Sequence, residues 1–246
     1  MVRVERAWWC ALALLLLCGL PVSAPAAGLQ ISPISLSVAA DSRVTEIWLR
    51  NNSQDVVHAQ VRVYRWSQSQ GQDVLTADNA LIASPPMVAI PAGGQQLVRL
   101  VRVGALAEPA AVERSYRLLV DELPVQQQQK SETSLRFVFR YSVPVFIAGT
   151  AKQKAKLDWR VEESDGHAWL IVSNTGTRHV QLADVSFAAP HGKAVAVLPG
   201  LAGYVLAGQQ RRFKLPLPPS AFAQGGVFSG RADGAEINTR IESIRH

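Results

Sequence analysis

Apolar and polar residues alternate with a period of two along most of this 246-residue chain, the spacing of strands with one buried face. Val44–Asn51 alternates and runs into the turn-like Asn51-Asn52-Ser53. Val57, Ala59, Val61 and Val63 alternate with His58, Gln60, Arg62 and Tyr64, which predicts a half-buried strand. Gly71-Gln72-Asp73 and Pro91-Ala92-Gly93-Gly94 predict turns, and Ser84-Pro85-Pro86 a conformationally restricted segment. Residues 29–38, 95–103 and 115–123 complete the strands of the first half, together with one last segment that stands apart.

That segment is 135–145. Leu135, Phe137, Phe139, Tyr141, Val143 and Val145 fall on one face, and Arg136, Arg140 and Ser142 on the other. An apolar ridge of this size either packs in its own core or, at a sheet edge, completes the fold of another protein. Pro124 and the polar run 126–133 precede it and read as a solvated connection, and a ridge beside such a loop favours the second role. The pattern restarts after Lys152-Gln153-Lys154-Ala155-Lys156, with strands expected at 157–162, 167–174, 180–188, 194–198, 212–217 and 227–241. Asp165-Gly166, Asn174-Thr175-Gly176, Pro218-Pro219 and Asp233-Gly234 supply the turns. No helix or repeat is expected. The count and spacing predict an all-β chain of two immunoglobulin-like β-sandwich domains, 28–150 and a smaller one at 151–246.

Residues 1–27 are expected to lie outside the fold. Arg3 and Arg6 precede an apolar run from 7 to 20, and Ala24-Pro25-Ala26 ends it, which is the pattern of a secretory signal cleaved after Ala26 or Ala27. Leu15-Leu16-Leu17-Cys18 is a distant match to a lipid-attachment site, but the bulky Leu17 before the cysteine argues against it. The run is short for a membrane span, and no later stretch reaches that length, so no stable membrane insertion is expected. Cys10 and Cys18, the only two cysteines, both fall in the signal, so the exported chain must hold together without disulfides. Removing Arg3, Arg6 and Glu5 leaves 23 basic and 18 acidic residues, a net charge of +5. The positive charges are not blocked together, so nucleic acid is not an expected partner.

The chain shows no constellation for catalysis or metal binding. His58, His167, His179, His191 and His246 have no metal-ligand spacing to one another or to a cysteine. Ser35, Ser37 and Ser142 lack a nucleophile-elbow context, and Gly93-Gly94 and Gly225-Gly226 are not followed by helices. The pairs Asp121-Glu122 and Glu162-Glu163 could serve as acid and base, but neighbouring residues on a strand point to opposite faces, and solvated roles are expected. No enzyme, cofactor or metal is indicated.

Several motifs in order resemble the periplasmic pilus-assembly chaperones of the chaperone–usher pathway. They are Tyr64-Arg65-Trp66, Ser84-Pro85-Pro86, Ile90-Pro91-Ala92-Gly93-Gly94-Gln95-Gln96-Leu97-Val98-Arg99 and Tyr116-Arg117-Leu118-Leu119-Val120-Asp121-Glu122-Leu123-Pro124, followed by the ridge strand. The resemblance covers 29–150 and extends to the second half only in general pattern. It implies two immunoglobulin-like domains arranged in an L with a cleft between them. It also implies pilin subunits and an outer-membrane usher as partners, and insertion of Leu135, Phe137, Phe139 and then Tyr141 into a pilin's unfinished core. Many such chaperones hold the pilin's terminal carboxylate with an arginine on the first strand and a lysine on the last. Ser35 and Ser142 stand at those places here, which points to the archaic branch. A buried carboxylate still needs a cation. Arg117 is the first candidate, Arg140 the second, and Arg99 and Arg102 are weaker. The resemblance competes with two other readings: a structural pilin or adhesin, and an exported sugar-binding sandwich that stacks ligands on Trp48, Trp66, Trp159 or Trp169.

Overall fold

The computed structural model describes residues 28–104, 110–124 and 138–244. The expected signal, Leu135, Phe137 and His246 lie outside them. The first part of the chain forms β1 (Leu29–Ser32), β2 (Leu36–Val38), β3 (Val44–Asn51), β4 (Val57–Ser69), β5 (Gln72–Ala77), β6 (Leu81–Ser84), β7 (Met87–Ile90), β8 (Gln95–Arg102), β9 (Arg114–Leu123) and β10 (Arg140–Ile147). These strands make two sheets, one ordered β1-β3-β8-β6 and the other β2-β10-β9-β4-β5, with β7 also paired to β4.

The two sheets share strands by a repeated device. The expected single strand at 29–38 is divided: β1 pairs with β3 in one sheet, and β2 pairs with β10 in the other. The segment after the turn at 78–80 divides in the same way, β6 pairing with β8 and β7 with β4. A cis Ser-Pro bond lies at each crossing, Ser32–Pro33 and Ser84–Pro85. Proline has no N–H to give to a ladder, so it falls between strands rather than inside them. Between the sheets lies a core of alternating residues, including Ile47, Leu49, Val61, Leu100, Tyr116, Leu118, Val120, Val143 and Val145.

The second part forms β11 (Leu157–Ser164), β12 (His167–Asn174), β13 (Val180–Ala188), β14 (Val195–Val205), β15 (Gln210–Lys214), β16 (Gly226–Ala232) and β17 (Ala235–Ile241). The sheets are β11-β12-β15 and β14-β13-β16-β17, packed on Trp159, Leu170, Val172, Leu182, Phe187, Phe213, Phe222 and Phe228. Residues 227–241 were expected as one stretch with a turn, and they form the β16–β17 hairpin, with Asp233 (φ 49°) and Gly234 (φ 82°) in its two-residue turn. A 3-10 turn spans Pro219–Phe222, and no α-helix occurs among the described residues. No described helix is long and apolar enough to cross a membrane. Each core has its own pair of sheets, so the chain has the all-β, two-sandwich fold that its periodicity predicts.

A small third cluster joins the sandwiches. Trp66 and Phe146 from the first pack with Leu206 and Tyr204 from the second. Gln68 clasps the second sandwich: its Nε2 donates to Tyr204 O at 2.7 Å and its Oε1 accepts from Leu206 N–H at 3.0 Å. His179 lies stacked on Phe146 with centroids 3.4 Å apart, and its Nδ1 is 2.7 Å from Glu113 Oε1. At Gly71, the Arg212 N–H donates to the glycine carbonyl at 2.9 Å, and φ is 73°. A Cβ there would overlap Arg212. Gly71→Val is therefore expected to lower stability by about 1–3 kcal/mol through backbone strain and the overlap. Thermal unfolding followed by calorimetry checks it, and an unchanged midpoint would show that this contact contributes nothing.

Candidate functional site

The sheet β2-β10-β9-β4-β5 has one face in the core and one turned outward. Side chains alternate between them, so the outward face carries Arg62, Tyr64 and Trp66 of β4. It also carries Ser115, Arg117, Leu119 and Asp121 of β9, and Arg140, Ser142, Pro144 and Phe146 of β10. The register aligns them in rows. Asp121 stands opposite Arg140, Leu119 between Ser142 and Arg62, and Arg117 between Pro144 and Tyr64. The second sandwich covers the end of this face at Trp66 and Phe146 through Tyr204, Leu206 and His179.

The two cations expected as carboxylate anchors share this face, but their surroundings differ. Arg140 donates to Asp121 Oδ1, and Arg62 Nη2 lies 2.6 Å from Asp121 Oδ2, so one carboxylate is flanked by two guanidinium groups. Arg117 is half-buried, with its Cζ 3.7 Å from the Trp66 ring centroid and 5.6 Å from that of Tyr204. Among the described residues it makes no hydrogen bond and no ion pair. Burial lowers its pKa from the ordinary guanidinium value, against an opposing pull from Asp73. An arginine is still charged under such a shift, so the face holds a cation partly stripped of water and not neutralised. Such a group is suited to receive a carboxylate.

The ridge divides along its length. Val143 and Val145 are sealed in the core of their own sandwich. Tyr141 packs against that core, and its hydroxyl donates to Glu122 Oε1 at 3.0 Å. Burial first, and then this hydrogen bond, push its pKa up to about 12. Phe139 is 47% exposed, its ring 6.3 Å from that of Tyr141, although its carbonyl still accepts from Glu122 N–H at 3.0 Å. The backbone is equally divided. One margin of β10 is paired with β9 throughout, but β2 reaches only Val145–Ile147 on the other. Among the described residues, Arg140 to Pro144 have no ladder partner on that side.

Other sequence expectations fall differently. Asp121 and Glu122 do point to opposite faces, but neither is solvated: Asp121 is buried between two arginines, and Glu122 holds Tyr141 and the N–H of Leu29. Ser35 and Ser142 are exposed. Arg99 pairs at the surface with Glu46 at 3.2 Å, and Arg102 is buried, donating to the carbonyls of Ala40 and Ser42. Trp66 and Trp159 are buried, and Arg212 covers the Trp169 ring at 4.0 Å, so these tryptophans do not form a common stacking surface. Sequence reading missed Tyr204 and Gln68, whose contacts cross between the two sandwiches, and Asp73, which Trp66 and Gln68 of the adjoining strand engage.

The model of the family described as pili and flagellar-assembly chaperones, PapD N-terminal domain, matches residues 28–151. No curated protein matches the chain in sequence. Among solved structures, it is similar to the CsuC–CsuE chaperone–tip subunit pre-assembly complex from the archaic chaperone–usher Csu pili of Acinetobacter baumannii. That match has 25% identity and a TM-score of 0.69, and covers 89% of this chain and 100% of the other. The YadV chaperone matches with 18% identity, 87% and 99% coverage and a TM-score of 0.62. The Salmonella enterica complex of SafA pilin with the SafB chaperone matches with 15% identity, 87% and 96% coverage and a TM-score of 0.61. The last two speak for the fold, and the first agrees with the archaic character read from Ser35 and Ser142.

The Asp121 triad generates a pH prediction. Burial works to raise the Asp121 pKa, but the hydrogen bonds from Arg140 and Arg62 outweigh it and hold the carboxyl below its usual value. A depressed folded value means that the contribution is complete above the unfolded value of about 3.9 and is lost as pH falls through the folded value. Asp121→Asn should therefore cost about 1 kcal/mol at pH 7, a drop of about 2–4 °C in Tm. The two proteins should converge in acid. A constant gap at every pH in calorimetric scans would rule out the carboxylate as its source.

Proposed function

Because this chain belongs to the pili and flagellar-assembly chaperone family, we propose that it caps pilin subunits in the periplasm by donor-strand complementation and passes them to an outer-membrane usher. The observation that carries this reading is the divided ridge. From Val143 onward the apolar face of β10 belongs to its own core, whereas Phe139 is 47% exposed, beside a stretch of backbone with one margin unpaired among the described residues. A client strand added to that margin would gain main-chain hydrogen bonds, and an open client core would accept the alternate large side chains. Leu135, Phe137 and Phe139 are the donor residues in this reading. Tyr141 follows them at the point where the ridge enters its own sandwich.

Arg117 is the anchor for the client's terminal carboxylate. It is preferred to Arg140, because Arg140 already pairs with Asp121, whereas Arg117 has no carboxylate within ion-pair distance among the described residues. The mechanism needs no nucleotide, cofactor or covalent step. Binding is driven by burial, at roughly 1.5–3 kcal/mol for each inserted side chain before ordering costs, and by the charge-assisted anchor.

Two measurements test the reading. Phe137→Asp combined with Phe139→Asp should leave the chaperone folded and abolish co-purification with pilins co-expressed from the same bacterium. Undiminished recovery of complexes rejects insertion. Arg117→Ala should weaken subunit capture about tenfold or more, the worth of a lost charge-assisted hydrogen bond. Its cost in thermal stability should be about 1 kcal/mol or less, from the lost cation–π contacts. Unfolding of the variant would instead make Arg117 a structural residue.

A further inference from the structure

The anchor assigned to Arg117 is built from both sandwiches. Arg117 and Trp66 come from the first, on β9 and β4, and the second ring against the guanidinium is Tyr204, from β14 of the second. We propose that Tyr204 is a positioning residue that fixes the Arg117 guanidinium across the domain seam, so that a client's free C-terminal carboxylate is recognised only while the two sandwiches are docked. The inference rests on the reading of Arg117 as the anchor.

The rings and their supports carry the argument. Tyr204 and Trp66 meet nearly edge to face, at 81° and 5.5 Å between centroids, and Arg117 lies against both. Each ring is held in turn. The Tyr204 hydroxyl accepts from Gln181 Nε2 at 3.0 Å, and its carbonyl accepts from Gln68 Nε2 at 2.7 Å. Trp66 Nε1 donates to Asp73 Oδ1 at 3.0 Å. Asp73 is the carboxylate that attracts Arg117 through space, and it is already engaged. Oδ1 also accepts from Gln68 Nε2 at 3.0 Å, and Oδ2 lies 3.4 Å from Arg211 Nη2. Aromatic rings attract a guanidinium through its charge without accepting its N–H bonds at their edge, so those donors stay available for a planar carboxylate. Without the Tyr204 ring, one of the two contacts that define the guanidinium's orientation is gone. The flexible side chain could then turn away from the client.

The test uses the exported chain without its signal, and a short peptide of alternating valine and threonine led by two lysines, made with either a C-terminal carboxylate or a C-terminal amide. Affinities are read by calorimetry. The native protein should prefer the acid over the amide about tenfold or more, the worth of one charge-assisted hydrogen bond, and Arg117→Gln should abolish the preference. Tyr204→Leu, which keeps bulk but removes the ring, should reduce it to near unity, and Tyr204→Phe should restore it. A merely structural role would weaken both peptides equally and leave the ratio intact. If Tyr204→Leu keeps the native ratio, Tyr204 does not position the cation and the inference falls, while the anchor stands. If the native protein shows no ratio at all, Arg117 is not the anchor and both fall. Should Tyr204→Leu fail to fold, Gln68→Ala removes the side-chain clasp on the Tyr204 carbonyl and so loosens the ring's seat beside Arg117. A smaller fall in the same ratio is then expected, and an unchanged ratio overturns the inference.

Discussion

Backbone N–H and C=O groups need partners, and among the described residues β10 has a complete set on one margin only. Antiparallel pairing with β9 fixes the strand along its whole length, while parallel pairing with β2 covers the last three residues. This difference divides the strand into a part paired on both margins and a part that, among the described residues, is paired on one. The apolar ridge obeys the same division, since Val143 and Val145 are enclosed by the facing sheet and Phe139 lies beyond it. Open sheet edges favour aggregation. Here the open edge is short and carries Arg140 and Ser142 on its outward side, and both are polar.

Charge on the outward face is distributed by the same sheet register. Asp121 lies opposite Arg140 on one neighbour and within reach of Arg62 on the other, so one carboxylate is shared by two guanidinium groups. One row away from Leu119, Arg117 faces Pro144 and Tyr64, neither of which can pair with it. A cation placed among aromatic rings keeps its charge while losing water, which raises its interaction with an arriving anion. The face thus carries two arginines paired with one carboxylate, and a third, Arg117, whose side chain has no ion pair among the described residues.

The seam between the sandwiches links this face to the second core. Gln68 reproduces part of a backbone ladder with its side chain, accepting from Leu206 and donating to Tyr204. Gly71 lets the β4–β5 turn approach Arg212 more closely than any side chain would allow. These contacts are polar and close, and they hold Tyr204 beside Trp66. Membership of the chaperone family accounts for the fold and for the general role. At the seam the second sandwich, through Tyr204, Leu206 and His179, covers one end of the first one's outward face.

The sequence alone determined most of the strands and the inward or outward face of their residues, because a period of two is a local property of the backbone, but it left 29–38 as one strand and placed none at 72–90. It also separated the apolar side of 135–145 from Arg140 and Ser142. It could not place the point where the ridge enters its own core, because that depends on how far β2 runs along β10, more than 100 residues away in sequence. It left Arg117 and Arg140 as alternatives, since strand parity puts both on one face. Only the register of β9 against β10 and β4 gave Asp121 to Arg140, and only the docking of the second sandwich put Tyr204 beside Arg117. Those are contacts between residues distant in the chain. They are fixed by packing and electrostatics after folding, and no local pattern encodes them.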